Sequence, residues 1–138
     1  MKVVFDTNVY IAEALKRHGP AHRAIEATAA ARWRVYASDY IVDELLHVMA
    51  IELQLPAKEV ADAAQRVEFR CQMVALPSSR HVVPRDPKDT PILQTALAAN
   101  ADYLVTQDED LQVLDPYEKL RIVSLASYIR LLENEGLI

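Results

Sequence analysis

The sequence predicts an α/β fold with a central parallel sheet of about five strands and helices on both faces. Three observations lead there. Short apolar runs, such as Lys2–Phe5 and Tyr103–Val105, alternate with segments whose apolar residues recur at helical spacing. Strands that alternate with helices imply right-handed crossovers and parallel pairing. Gly is scarce, with 2 in 138 residues, and Ala is abundant, which favours helix. No internal repeat, low-complexity tract or linker interrupts the pattern, so residues 1–138 read as a single domain.

Each element follows in turn. Val3 to Phe5 is apolar on both faces and is expected at the centre of the sheet. Asn8 to Arg17 reads as a short helix stopped by His18-Gly19-Pro20, and Ala21 to Arg32 as a second. Trp33 to Ala37 is the next strand. Ser38 or Asp39 caps a third helix with Ile41, Leu45, Val48 and Met49 on one face. Pro56 suits the start of a fourth, which runs to about Gln72 with Val60, Ala63, Ala64, Val67 and Cys71 facing inward. Met73–Leu76 and His81–Val83 are short apolar pieces, either of which can supply a strand. Thr90 is a candidate cap, with Pro91 at the first position of a helix that carries Ile92, Leu93, Ala96 and Leu97. Tyr103–Val105 and Arg121–Val123 are the last strands, and Ser124 caps a final helix through about Asn134.

Composition narrows the function. About half of the residues are apolar and charge is at an ordinary level, as expected for a globular domain. The first residues hold no basic segment followed by a long apolar stretch, and no apolar run approaches the ~20 residues of a membrane span. No signal peptide or membrane association is therefore expected. The single cysteine, Cys71, forms no internal disulfide and reads as a small buried residue, consistent with a reducing, cytoplasmic setting. A formal charge of −5 argues against binding to nucleic acid through a general basic surface. It leaves room for a nuclease whose acids are concentrated at a metal site.

The acids sit where such a site belongs. Asp6 ends the first strand, Glu44 lies in the helix that follows the second, Asp86 and Asp89 precede a helix, and Asp108 and Asp110 follow the Tyr103 strand. In open parallel sheets, ligands bind outside the carboxyl ends of the strands. Each acid has an ordinary alternative. Asp6, Asp86 or Asp89 can cap a helix, and Glu44 can be a solvated glutamate favoured by the helix dipole. Several carboxylates converging within ~5 Å repel, which raises their pKa values unless a cation compensates. An all-oxygen set suits Mg²⁺ or Mn²⁺ better than Zn²⁺. The chemistry this implies is hydrolysis of a phosphodiester by water.

The motifs also carry a resemblance. Asp6-Thr7-Asn8 after the first strand, the Ser38 to Leu45 helix start, Asp86-Pro87-Lys88-Asp89, and Ala101 to Leu111 stand in this order. Together they resemble the PIN-domain nucleases, including VapC-like toxins of toxin–antitoxin pairs. The resemblance implies a PIN-like fold and a Mg²⁺- or Mn²⁺-dependent endoribonuclease. It implies that Asp6, Glu44, Asp89 and Asp108 are catalytic metal-site acids, with Asp110 as a further member. Asn8 and Thr106 would orient those ligands. RNA is the implied substrate and a small antitoxin the implied partner. One departure is Thr90-Pro91, where relatives often carry further polar residues.

Arg80, Arg85 and Lys88, with His81, Arg17 and His18, are candidate phosphate contacts, and each is equally an ordinary surface charge. The four histidines lack metal-ligand spacing, and His22 and His47 read as structural helix residues. Three alternatives remain: a non-toxin RNA-processing nuclease, a catalytically silent RNA- or protein-binding module, and a haloacid-dehalogenase-type phosphatase. The last needs a second acid two residues after the nucleophile, and Asn8 stands there. Finally, Tyr40, Met49, Leu53, Leu55 and Phe69 give the third and fourth helices more apolar surface than one core face needs, which predicts a two-fold homodimer.

Overall fold

The structure, a computed structural model, describes residues 1–76 and 89–138. Five parallel strands form one sheet in the order β3-β2-β1-β4-β5. They are β1 (Lys2–Phe5), β2 (Arg34–Ala37), β3 (Gln72–Met73), β4 (Tyr103–Val105) and β5 (Arg121–Val123). The helices are α1 (Thr7–Leu15), α2 (Pro20–Ala30), α3 (Asp39–His47), α4 (Ala57–Arg70), α5 (Thr90–Ala98), α6 (Glu109–Gln112) and α7 (Leu125–Asn134). A π-helical turn, Val48–Glu52, continues α3. No helix among the described residues is long and apolar enough to cross a membrane.

The apolar run of β1 does take the centre of the sheet. Val3, Val4 and Phe5 are fully buried. Val3 lies in register with Val35 of β2 and Tyr103 of β4. Phe5 meets Tyr10 of α1 and Tyr128 of α7 edge-on, with ring centroids 6.0 and 5.6 Å away. These rings fill one face of the sheet. The chain then moves outward through β2 and β3 before returning across β1 to β4. Right-handed crossovers put α1 to α4 on one face and α5, the return connection, on the other. α5 packs on β1, β2 and β4.

The reversal makes the gap between β1 and β4 a topological switch point, where open α/β sheets bind ligands. Backbone hydrogen bonds carry the sheet one residue past each strand end there. The Asp6 N–H donates to the Val105 carbonyl at 2.9 Å, and the Thr106 N–H to the Val123 carbonyl at 3.0 Å. Asp6 and Thr106 therefore sit on rigid backbone at the carboxyl edge, although neither lies in a strand.

The structure differs from the periodicity reading at four places. α4 ends at Arg70 instead of Gln72, because the edge of β2 offers backbone partners. Tyr36 and Ala37 pair with Gln72 and Met73, and the Val74 N–H reaches the Ala37 carbonyl at 2.8 Å. The strand expected over Met73–Leu76 thus begins one residue earlier and is shorter, while His81–Val83 lies outside the described residues. The cap position of α5 falls on Asp89, with Thr90 already helical. Pro91 is tolerated because a first-turn residue has no intrahelical bond to lose. Lastly, Met49 is fully buried and belongs to the core, and Tyr40 and Leu55 are half-buried, whereas Leu53 and Phe69 are exposed.

Candidate metal centre

Four carboxylates meet at the switch point. Asp6, Glu44, Asp89 and Asp108 line one cavity of about 200 Å³, with Thr7, Asn8, Ile11 and Val48 completing its wall. Each comes from a different connection. Asp6 ends β1, Glu44 lies in α3, Asp89 starts α5, and Asp108 starts α6. Asp110 stands at the rim. Asp89, Asp108 and Asp110 each offer a carboxylate oxygen within 4.8 Å of the others.

Asp6 is the most buried of the four, 4 % exposed. It holds the cap position of α1 but makes no side-chain capping hydrogen bond, so the ordinary capping explanation does not account for it. Its carboxylate is instead fixed from two sides. The Thr106 hydroxyl donates to Oδ2 at 2.6 Å, and the Asn8 amide donates to the same oxygen at 3.3 Å. The Thr106 hydroxyl in turn accepts the Asp108 N–H at 3.0 Å, which settles the direction of its own proton. Asn8 and Thr106 are thus both bonded to Asp6.

Burial pushes the Asp6 carboxyl up to about 6, opposed by the Thr106 hydrogen bond and reinforced by the charges of Glu44 and Asp108. The two side-chain donors that face it are neutral. The cavity therefore gathers negative charge around a carboxylate that lacks a cationic contact among the described residues. The Thr7 hydroxyl on the same wall is buried without a hydrogen-bond partner among the described residues. Hard oxygen donors, excess negative charge and an orphaned polar atom fit a divalent cation such as Mg²⁺ or Mn²⁺.

Two glutamines and a tyrosine complete the frame. The Gln107 N–H donates to Asn8 Oδ1 at 3.4 Å, and its side-chain oxygen accepts the Leu125 N–H at 3.3 Å. Gln112 donates to the Thr106 carbonyl at 2.7 Å from α6. Ser38 and Thr95, both fully buried, bond to each other at 2.8 Å and hold the start of α3 against α5. The Tyr40 hydroxyl donates to Glu44 Oε2 at 3.2 Å. Sequence spacing gives no sign of the glutamines or of the Ser38–Thr95 pair, because those contacts depend on the fold. Tyr40 stands four residues before Glu44, a spacing that does mark neighbours on a helix.

A second set of titratable groups, Glu13, His22 and Glu26, lies away from this cavity. It is occupied by a guanidinium. Arg70 grips Glu13 with bonds of 2.8 and 2.9 Å and reaches Glu26 at 3.0 Å, while His22 Nδ1 lies 2.8 Å from Glu13. Burial would raise the Glu13 carboxyl, but Arg70 and His22 outweigh it and hold it low. His22 is structural, as read from the sequence. Cys71 is buried at the end of α4, with its sulfur 3.2 Å from the Tyr10 hydroxyl, and burial pushes its thiol up to about 11. Arg17 lines a different cavity with Arg66, and His18 packs edge-on to His22. Arg80, His81, Arg85, Asp86 and Lys88 lie outside the described residues.

Comparison with known proteins settles the family. The PIN domain model matches residues 2–110. The chain belongs to the PIN-domain family. The PIN domain is also similar to a chain in the crystal structure of VapBC2 from Rickettsia felis bound to a DNA fragment from their promoter. That match has a TM-score of 0.64 at 14 % identity and covers 90 % of this chain and 98 % of that one. At this identity the likeness shows the fold. No curated protein matches the sequence.

The charge at Asp6 makes a stability prediction for the metal-free PIN domain. Its folded pKa, about 6, lies above the ordinary 3.8, so between those values the folded chain keeps a proton that the unfolded chain has released. Stability must then rise as pH falls through 6. From pH 7 to pH 5, wild type should gain about 1 kcal/mol relative to Asp6→Asn in urea unfolding. Glu13 acts in the opposite sense, but only below the ordinary glutamate range, and it is common to both proteins. Parallel pH profiles for the two would rule out the raised carboxyl.

Proposed function

We propose that this PIN domain is a Mg²⁺- or Mn²⁺-dependent endoribonuclease that hydrolyses RNA phosphodiester bonds, acting as the toxin of a toxin–antitoxin pair. The observation that carries the reading is the convergence of Asp6, Glu44, Asp89 and Asp108 on one cavity at the switch point. These four would hold the cation, with Asp110 beside them. Asn8 and Thr106 would keep the Asp6 carboxylate oriented toward it. Once bound, such an ion supplies charge neutralisation at phosphate and a more acidic water. The protein itself supplies a fixed anionic frame and a buried central-strand end that cannot shift as charge develops.

Arg80, Arg85 and Lys88 are the candidate groups for RNA phosphates, through sequence position alone. An antitoxin partner is supported by the likeness to the VapBC2 chain, whose structure is described as a complex with promoter DNA. A cytoplasmic location follows from that role. The proposed assembly is a homodimer, supported by Phe69 at 93 % exposure and by exposed Ile51 and Leu53 after α3. Sedimentation should then show a dimer at high micromolar concentration, weakened by Phe69→Ser. A wild-type monomer under those conditions would reject the dimer.

The activity is tested by incubating a mixed RNA pool with Mn²⁺, with and without a chelator. Wild type should cleave only with the metal. Asp6→Asn should lose about a hundredfold or more of that cleavage, because a hard anionic ligand is gone while the side chain keeps its size. Its metal-free stability should hold or rise, since like charges destabilise a compact cluster. Unchanged cleavage by Asp6→Asn would reject the metal role. So would cleavage that persists in chelator.

A further inference from the structure

Along α3 and into the π-helical turn that continues it, three residues stand at successive turns beside the acid cavity: Tyr40, Glu44 and Val48. Glu44 and Val48 line the cavity. Tyr40 does not line it, yet its hydroxyl donates to Glu44 Oε2 at 3.2 Å. Its ring is half-buried and packs on the core, which leaves the phenol few alternative positions. Glu44 has the longest and most flexible side chain of the four acids at the site. The other three come from strand ends or helix starts, where backbone geometry limits them. Glu44 comes from within a helix, so side-chain torsions alone decide where its carboxylate points.

We propose that Tyr40 is a positioning residue for Glu44: its hydroxyl ties down one carboxylate oxygen, so that the other faces the cavity shared with Asp6, Asp89 and Asp108. This inference rests on the metal-site reading of that cavity. A phenol, with an ordinary pKa of about 10, is a protonated donor across the working pH range. A donor of this kind favours the ionised carboxylate and lowers the entropy that Glu44 loses when a cation is bound. Phenylalanine keeps the ring and its packing and removes only the O–H.

The measurement is Mn²⁺ affinity, read by electron paramagnetic resonance of the free ion, on wild type, Tyr40→Phe, Glu44→Ala and the double variant. Tyr40→Phe should weaken Mn²⁺ binding about tenfold, a typical effect of losing a hydrogen bond that orients a ligand. Its metal-free urea midpoint should match wild type. In the Glu44→Ala background the same substitution should have no effect, because no carboxylate is left to hold. Three results would overturn the proposal: an affinity within twofold of wild type for Tyr40→Phe, an equal loss in both backgrounds, or no Mn²⁺ binding by wild type. The last would also remove the metal-site reading, whereas the first two would leave that reading standing.

Discussion

A buried carboxylate that no cation among the described residues contacts organises the functional edge of this PIN domain. Asp6 ends the central strand, its N–H is committed to Val105, and its side chain is 4 % exposed. An ionised carboxylate in such a position is costly unless it is paired or hydrogen-bonded. The chain surrounds it with two neutral donors and then brings Glu44 and Asp108 close enough to raise its pKa further. A scaffold selected for stability alone would place a cation or an apolar residue there. Glu13 shows that this chain can do so, since Arg70 and His22 satisfy that carboxylate with 2.8 Å contacts. The two buried acids thus differ: one is relieved by an ion pair, and the other, among the described residues, is left under charge repulsion.

The rest of the fold holds that repulsion in place. Extending the ladder to Asp6 and Thr106 gives the site the rigidity of the sheet without spending a strand position on either residue. Gln107 joins the connections after β1, β4 and β5 through Asn8 and Leu125, and Gln112 holds the Thr106 carbonyl. The Ser38–Thr95 pair fixes α3 and α5, which carry Glu44 and Asp89, relative to each other. Polar networks of this sort resist relaxation because each buried group left without its partner costs free energy. Repelling acids cannot simply move apart when every connection that bears one is pinned.

Much of this was legible in the sequence, for identifiable reasons. A run apolar on both faces marks a central parallel strand, and Val3–Phe5 is one. Acids directly after such runs fall at the carboxyl edge, because a strand and its following turn leave little freedom in where the next residue goes. That rule finds Asp6 and Asp108, and the matching motif adds Glu44 and Asp89. The same local logic fails where a nonlocal contact decides. Gln72 continues a helical pattern, but the open edge of β2 draws it into β3 beside Met73. Met49, counted among the surplus apolar residues, instead shares the buried face of Ile41 and Leu45 and belongs to the core. Tyr40 reads in sequence as part of an apolar surface. Its hydroxyl matters because Glu44 lies one turn further along the same helix, a relation visible in sequence only once Glu44 has a role.

The central claim is that burial, with the charges of Glu44 and Asp108, raises the Asp6 carboxyl to about 6, so that it holds its proton in mildly acidic solution until a cation binds. Calorimetric titration with Mn²⁺ in buffers of different ionisation enthalpy counts the protons released on binding. At pH 6 the account predicts release of about half a proton per ion, falling toward zero at pH 8, where Asp6 is already ionised. Binding of Mn²⁺ at pH 6 with no proton released would contradict it.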